Sequence, residues 1–382
     1  MKIFFFISSL NRGGAQRVII NLANNLAKLG HNIGIITLTS EDSDSYKVNN
    51  DVKRFSLNLG GKSKGFAKII SNYKRIHALR QILKDEKPDT LVAFIQNNIV
   101  LSILASINLP VLVFGSERNY PPREKSINFF WRLLRIFLYR FATGHIVQTQ
   151  QTKIWLSKYT GSKNINIIPN SVVWPIPTST PKIDPLSVLS SDRKIILAVG
   201  NKPWQKGFDL LVRVFLKVAG DIPNWDLVVL GIDLKSDVTN DKEKMPKNLA
   251  KMLRQSNRIF FPGDVGNVED WYERADLFIL SSRYEGFPNV LLEAMASGCP
   301  SIAFDCDTGP REIIENGING FLIPKENIEK LEIAMKELIF DEKLRKKFAT
   351  EAPKIKEKFS NNQIVLKWLN VLQKSMKSKL EK

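Results

Sequence analysis

Cysteine is nearly missing from this chain of 382 residues: Cys299 and Cys306 are its only two. That excludes a disulfide-stapled scaffold and fits a reducing compartment, the cytosol. Long apolar runs are missing too. None reaches the ~20 residues that a spanning helix needs. Ile99 to Phe114 comes closest, and Asn108 and Pro110 divide it into a helix and a strand. The apolar part of the opening Met1 to Ile7 is too short for a secretory leader, and Asn11-Arg12-Gly13-Gly14 is no small-residue cleavage site. The opening therefore reads as a buried first strand. Acidic residues are in deficit, and the formal net charge is +18.

The deficit is uneven. Residues 1–170 carry 24 Lys and Arg against 9 Asp and Glu, whereas residues 171–382 carry 32 against 29. A basic half suggests an anionic partner such as nucleic acid, lipid headgroups or a phosphorylated acceptor; a solvated lysine-rich surface is the plainer reading. No recognised nucleic-acid reader motif accompanies the charge, so no nucleic-acid partner is expected.

Apolar residues make up 43% of the chain, enough for two cores, and the length predicts two domains. Lys2 to Ile7 reads as a strand and Gln16 to Leu29 as a helix, with Val18, Ile19, Leu22, Leu26 and Leu29 at helical spacing. Ile33 to Leu38 reads as the next strand. This is the βαβ opening of a Rossmann-like domain. Gly13 and Gly14 let backbone approach a ligand closely, with Arg17 in the first turn of the helix; a tight turn that needs glycine fits equally well. The Pro-rich piece from Trp174 to Pro185 marks a linker. A second domain opens with the strand Lys194 to Val199, a loop through Lys206-Gly207, and the helix Leu210 to Val218.

Ile127 to Arg140 reads as an aromatic, basic helix. On a helical wheel Asn128, Arg132, Arg135 and Arg140 share one side, while Phe129, Phe130, Leu133, Leu134, Phe137 and Leu138 spread over the rest. The pattern suits a helix that dips Phe129, Phe130 and Trp131 into an anionic membrane surface while Arg132 and Arg135 meet lipid phosphates. Packing on the sheet with the arginines outward is the alternative.

The densest pattern runs from Arg283 to Pro324. After the β-type run Ala275 to Leu280, Gly286 and Pro288 break the chain; Val290 to Ser297 follows as a helix stopped by Gly298, and Pro300 to Phe304 as a strand. A strand thus feeds a loop at a helix N-terminus, where free N–H groups and the helix dipole favour an anion. Two bare carboxylates would repel that anion. Glu285 and Glu293 are therefore expected to accept from neutral hydroxyls on either side of a diphosphate, as in a nucleotide-sugar with its sugar at Glu285 and its ribose at Glu293. A helical glutamate is most often a solvated face residue. Val290, Leu291, Leu292, Ala294, Met295 and Ala296 argue otherwise for Glu293, because a buried glutamate needs a partner; for Glu285 the solvated reading stays open.

The run E-G-F-P-N-V-L-L-E, followed by A-M-A-S-G-C-P and D-T-G-P-R-E-I-I-E-N-G, resembles the Glu, seven residues, Glu signature of the family-four retaining glycosyltransferases. The resemblance implies an α/β GT-B fold: two Rossmann-like domains facing across a cleft. Expected boundaries are 1–172, 173–360, and a C-terminal helix over 361–382 returning to the first domain. It implies donor contacts from Gly286, Phe287, Pro288 and Asn289, from Gly263 near the base, and from Lys206 on the pyrophosphate. Where the family has an arginine straight after Gly200, this chain has Asn201, and Lys202 stands next to it to supply the charge. The glycine loop at Gly13 and Gly14 is expected to meet donor phosphate or acceptor. Many members place a histidine after the strand that here runs from Val111 to Gly115. This chain offers Glu117 for a hydroxyl and Arg118 for an acceptor phosphate, and His145 reads as a core residue. Asp305-Cys306-Asp307 looks like a metal-binding pair of another fold but is expected to be a helix-capping loop, with no metal or cofactor required.

The expected reaction is retaining transfer from a UDP-sugar to a lipid-linked saccharide, by a peripheral protein on the inner face of the cell membrane. The resemblance implies that Lys206 stabilises the departing diphosphate and that this diphosphate takes the acceptor proton. The composition, rich in Lys, Asn and Ile, looks bacterial, and similar members build surface polysaccharides and glycans on polyprenyl carriers. Two other classes compete: a sugar-nucleotide epimerase, which would need no acceptor, and a nucleic-acid-binding protein.

Overall fold

The computed structural model describes residues 1–11, 13–46, 48–61, 67–124, 128–232, 252 and 256–381. The charged loop expected over Ser236 to Asn248 lies outside them. The chain divides into two compact units, Met1–Ser171 with Asn361–Lys382, and Val172–Ser360.

The first unit is built on seven strands: β1 (Lys2–Ile7), β2 (Asn32–Thr37), β3 (Val52–Ser56), β4 (Thr90–Phe94), β5 (Leu112–Ser116), β6 (Gly144–Val147) and β7 (Ile165–Ile167). They pair in the order β3-β2-β1-β4-β5-β6-β7, each pair parallel. A parallel sheet is covered on both faces, so its strands read as unbroken apolar runs. In β1 the side chains alternate between two cores. Ile3, Phe5 and Ile7 face the helices Gly14–Lys28 and Asn361–Leu380, with Leu22, Trp368 and Leu372. Phe4 and Phe6 face the opposite layer, with Leu79, Ile99, Trp131 and Leu156 from the helices Ala67–Glu86, Gln96–Ala105, Phe129–Leu138 and Gln150–Thr160. Strand order reverses between β1 and β4.

The second unit has six strands: β8 (Lys194–Val199), β9 (Trp225–Leu230), β10 (Ile259–Gly263), β11 (Leu277–Leu280), β12 (Ser301–Asp305) and β13 (Phe321–Pro324). Their order is β10-β9-β8-β11-β12-β13, again parallel throughout. The helices Phe208–Val218 and Ile328–Phe340 cover one face through Leu211, Phe215, Leu331 and Leu338. The helices Val268–Arg274 and Asn289–Ala296 cover the other through Trp271, Leu291 and Met295. The chain leaves β8 toward β9 and β10, then returns to place β11 on the other side of β8. The crevice outside the carboxyl ends of β8 and β11 is thus the switch point, where ligands of such sheets bind.

Candidate functional site

The loops that follow β8 and β11 meet at this switch point. Gly200 follows β8 under the stem of Lys206; a Cβ there would stand 2.7 Å from Lys206 Cγ and Cε. One helical turn, Pro203–Lys206, is closed by Gly207 in the left-handed region at φ +64. A Cβ on Gly207 would come within 2.0 Å of Ser281 O. Glycine is therefore required at 207 by the close approach of two backbones. Cross-ties hold them. Ser281 Oγ donates to Lys206 O at 2.8 Å, Arg283 N to Gln205 O at 2.7 Å, and Gln205 Nε2 to Tyr284 O at 3.1 Å. The Arg283 guanidinium donates to Trp204 O at 2.7 Å and to both Asp209 oxygens at 2.8 and 2.7 Å.

The result is a largely buried ion pair between residues far apart in the chain. Lys206 Nζ donates to Glu285 Oε1 at 2.7 Å, and Ser282 Oγ donates to the same oxygen at 2.6 Å. Glu285 is 7% exposed, so the solvated reading left open for it does not hold. The structure thus brings together the two residues assigned to chemistry, a cation for a phosphate and a carboxylate for hydroxyls.

The loop beyond them is seated by its neighbour. Thr308 Oγ1 donates to Glu285 O. Gly309, at φ +99, lies so close that a Cβ would stand 2.7 Å from Pro288 Cδ and 3.1 Å from Gly286 O. Phe287 packs edge-on against Phe359 at 5.5 Å. Pro288 caps the helix Asn289–Ala296 and Asn289 opens it. Glu293 is buried inside that helix and accepts from Tyr272 Oη at 3.1 Å. Asn201 and Lys202 are exposed in the turn before Pro203. Gly263 ends β10 at φ +86, its carbonyl accepting from Gly231 N at 2.9 Å. Asp305 is held by Arg311 at 2.8 and 2.9 Å and Asp307 by Lys325 at 3.1 Å, so both carboxylates are engaged by cations.

In the first unit, Gly13 and Gly14 open the helix after β1; Gly13 O accepts from Arg17 N at 3.1 Å, and Arg17 is half-buried. Glu117 and Arg118 follow β5 and diverge. Glu117 was expected to touch a substrate hydroxyl. It is 1% exposed, and the hydroxyl it meets is that of Tyr139; Arg135 Nε lies 3.4 Å away. Successive side chains of an extended segment point to opposite faces, and Glu117 takes the inward one. Burial pushes its carboxyl up to about 7 despite Arg135. His145 is fully buried, Nε2 3.0 Å from Tyr139 O, and burial pulls it down to about 4.

The aromatic helix also departs from its expected orientation. It runs over Phe129–Leu138, followed by a tight turn, Tyr139–Phe141. Trp131 and Arg135, expected at a membrane, are buried. Arg135 donates to Gln96 and Glu124 and lies beside Glu117, and this pairing turns the 131/135/139 edge inward. Phe129, Phe130, Phe137 and Phe141 remain outside at 74%, 62%, 58% and 70% exposure, with Arg132 and Arg140 also exposed.

Sequence reasoning missed Arg283, Asp209, Ser282, Thr308, Tyr272 and Asn170. Arg283 had one signal, its place two residues before Glu285. Ser282 stands three residues before its partner Glu285, and the remaining four are defined by partners distant in sequence.

Residues 12–173 match the model described as Glycosyltransferase Family 4, and residues 180–355 that described as Glycosyl transferases group 1. An uncharacterized glycosyltransferase of Haemophilus influenzae is 29% identical over 380 residues, spanning 97% of this chain and 99% of the relative. The GalNAc-alpha-(1->4)-GalNAc-alpha-(1->3)-diNAcBac-PP-undecaprenol alpha-1,4-N-acetyl-D-galactosaminyltransferase of Campylobacter jejuni is 28% identical over 375 residues, 97% and 98% of the two chains. Among solved structures, sucrose-phosphate synthase from Thermosynechococcus elongatus superposes with a TM-score of 0.82 at 16% identity, over 99% of this chain and 100% of that one. The Anabaena protein HepE in complex with UDP and glucose does so at 0.77 and 19%, over 98% and 100%. These likenesses to solved structures show the fold. With one family model on each half and full-length glycosyltransferase relatives, the chain belongs to the glycosyltransferases of group 1 and family 4, with the GT-B fold.

Proposed function

We propose that this glycosyltransferase moves a hexose or N-acetylhexosamine, with retention, from a UDP-sugar to a polyprenyl-diphosphate-linked saccharide in bacterial surface polysaccharide or glycan assembly. The observation that carries the reading is the Lys206–Glu285 pair at the switch point of the second sheet. In the reaction the bond from the anomeric carbon to the phosphate oxygen breaks. A bond to the acceptor oxygen forms on the same face, and the acceptor proton passes to the departing phosphate. Negative charge grows on the diphosphate as positive charge grows on the sugar. A positioned ammonium is the group that such a transition state rewards, so Lys206 turns from Glu285 toward the diphosphate, aided by Lys202 and the start of the helix Asn289–Ala296. Glu285 then holds the donor sugar, Gly286 to Asn289 line it, Glu293 accepts from the ribose, and Gly263 flanks the base. In the first unit Gly13, Gly14 and Arg17 meet phosphate or acceptor.

The relatives support the substrate classes: one is named for an undecaprenol-diphosphate-linked saccharide, and HepE was solved with UDP and glucose. Among the described residues no helix is long and apolar enough to cross a membrane. The exposed Phe129, Phe130, Phe137 and Phe141, with Arg132 and Arg140 beside them, support attachment to an anionic membrane surface, the inner face of the cell membrane. The test is a mass-spectrometric screen of nucleotide-sugars against a prenyl-diphosphate saccharide, with the linkage assigned by NMR. An α-linked product from an α-linked UDP-sugar, lost in Lys206→Ala and Glu285→Gln, is expected. An inverted product, or transfer indifferent to both substitutions, defeats the reading; conversion of donor without acceptor points to an epimerase.

A further inference from the structure

Among the described residues of the first unit two arginines are deeply buried beside one sheet edge, and their surroundings differ in charge. Arg135 lies against the carboxylates of Glu117 and Glu124. Arg118 is 7% exposed, and among the described residues its partners are uncharged. One guanidinium nitrogen reaches Ser116 Oγ at 3.4 Å, another donates to Asn170 Oδ1, and the guanidinium carbon sits 5.3 Å over the ring of Phe94. Glu117, its neighbour in sequence, is turned away toward Tyr139. Gln148 Nε2 donates to Asn170 Oδ1 at 2.8 Å, which fixes that amide with its oxygen toward Arg118.

A guanidinium keeps its proton at neutral pH. An uncompensated buried cation is costly unless something brings it negative charge. Burial lowers Arg118 to about 9, with no carboxylate acting against it. Its place matters as well. Phe94 is the last residue of β4, which flanks the switch point of this sheet, so Arg118 stands at the carboxyl edge where ligands approach. A planar fork of donors matches the oxygens of a phosphate.

We propose that Arg118, framed by Ser116 and Asn170, is a subsite for a phosphate group of a substrate. The phosphate belongs either to the acceptor's carrier diphosphate or to the nucleotide donor. The identity of those substrates rests on the function proposed above; the anion site itself does not.

The test uses the full chain and two probes, a short-chain prenyl diphosphate without saccharide and UDP, each titrated by calorimetry. Two variants are compared with wild type, Arg118→Gln and Asn170→Asp. The second leaves the arginine in place and supplies a carboxylate from within. Roughly tenfold weaker binding of one probe in both variants is expected. Loss on the prenyl diphosphate assigns the acceptor's phosphate, and loss on UDP assigns the donor's. Asn170→Asp should melt no lower than wild type while losing the anion, a combination that a purely structural arginine does not give. Unchanged affinity for both probes in folded Asn170→Asp overturns the proposal. If no nucleotide-sugar is ever transferred but the prenyl diphosphate titration still depends on Arg118, the proposed function fails and the anion site stands.

Discussion

Adding one methyl group at Gly207 should disable the site without touching a substrate-facing atom. The Cβ of Gly207→Ala would lie 2.0 Å from Ser281 O, a backbone atom that cannot rotate away. An ordinary contact starts at 3.4 Å, so the two loops must part by at least about 1 Å. The residue also holds φ +64, which costs an alanine roughly 1–2 kcal/mol. Parting the loops stretches the 2.8 Å bond from Ser281 to Lys206 O and draws Lys206 from Glu285. A displacement of about 1 Å at a reacting group is worth on the order of 10²-fold in rate. The expected outcome is kcat/KM down by about that factor, with the second unit's Tm lower by roughly 2–4 °C for each kcal/mol lost. Gly220→Ala is the matched control: the same methyl in the same unit meets nothing within 4 Å. Steady-state kinetics and calorimetry on both variants decide. Gly207→Ala with wild-type kcat/KM and Tm would refute the claim that two apposed loops set the position of Lys206.

Removing one partner of the Lys206–Glu285 pair leaves the other charge largely buried. Lys206→Met should lower stability by about 2–4 kcal/mol in urea denaturation, and the double variant Lys206→Met/Glu285→Gln should recover part of that loss. Arg283→Ala should act more on kcat than on KM for donor, because Arg283 braces Asp209 and Trp204 rather than a substrate; equal loss in both constants would contradict this. Phe129→Ser with Phe137→Ser should weaken sedimentation with anionic vesicles while leaving the fold intact, whereas Arg135→Gln should destabilise the first unit. Buried His145, lowered to about 4, takes up its proton later than in the unfolded chain, so stability should fall as pH drops from about 6.5 toward 4 and stay flat above. Comparing His145→Asn with wild type across that range isolates a contribution of up to about 3 kcal/mol.

What the sequence determined by itself was whatever local patterns carry. Apolar runs such as Phe4-Phe5-Phe6 imply strands covered on both faces, and glycines at strand ends imply loops where backbones come close. The apolar neighbours of Glu293 imply its burial, and the E-G-F-P-N-V-L-L-E run implies the family. Those signals act over a few residues, so they survive without knowledge of the rest of the chain. The tertiary structure alone decided which distant groups meet. Lys206 reaches Glu285 because β11 returns to lie beside β8. The helix Phe129–Leu138 turns Arg135 inward because Glu117 and Glu124 wait under it, an attraction no helical wheel contains. Glu117 and Arg118 are adjacent in sequence, yet the pleat sends one to a buried arginine and tyrosine and leaves the other among neutral partners. Charge pairing and register are properties of the assembled sheet, and there the linear pattern carries no information.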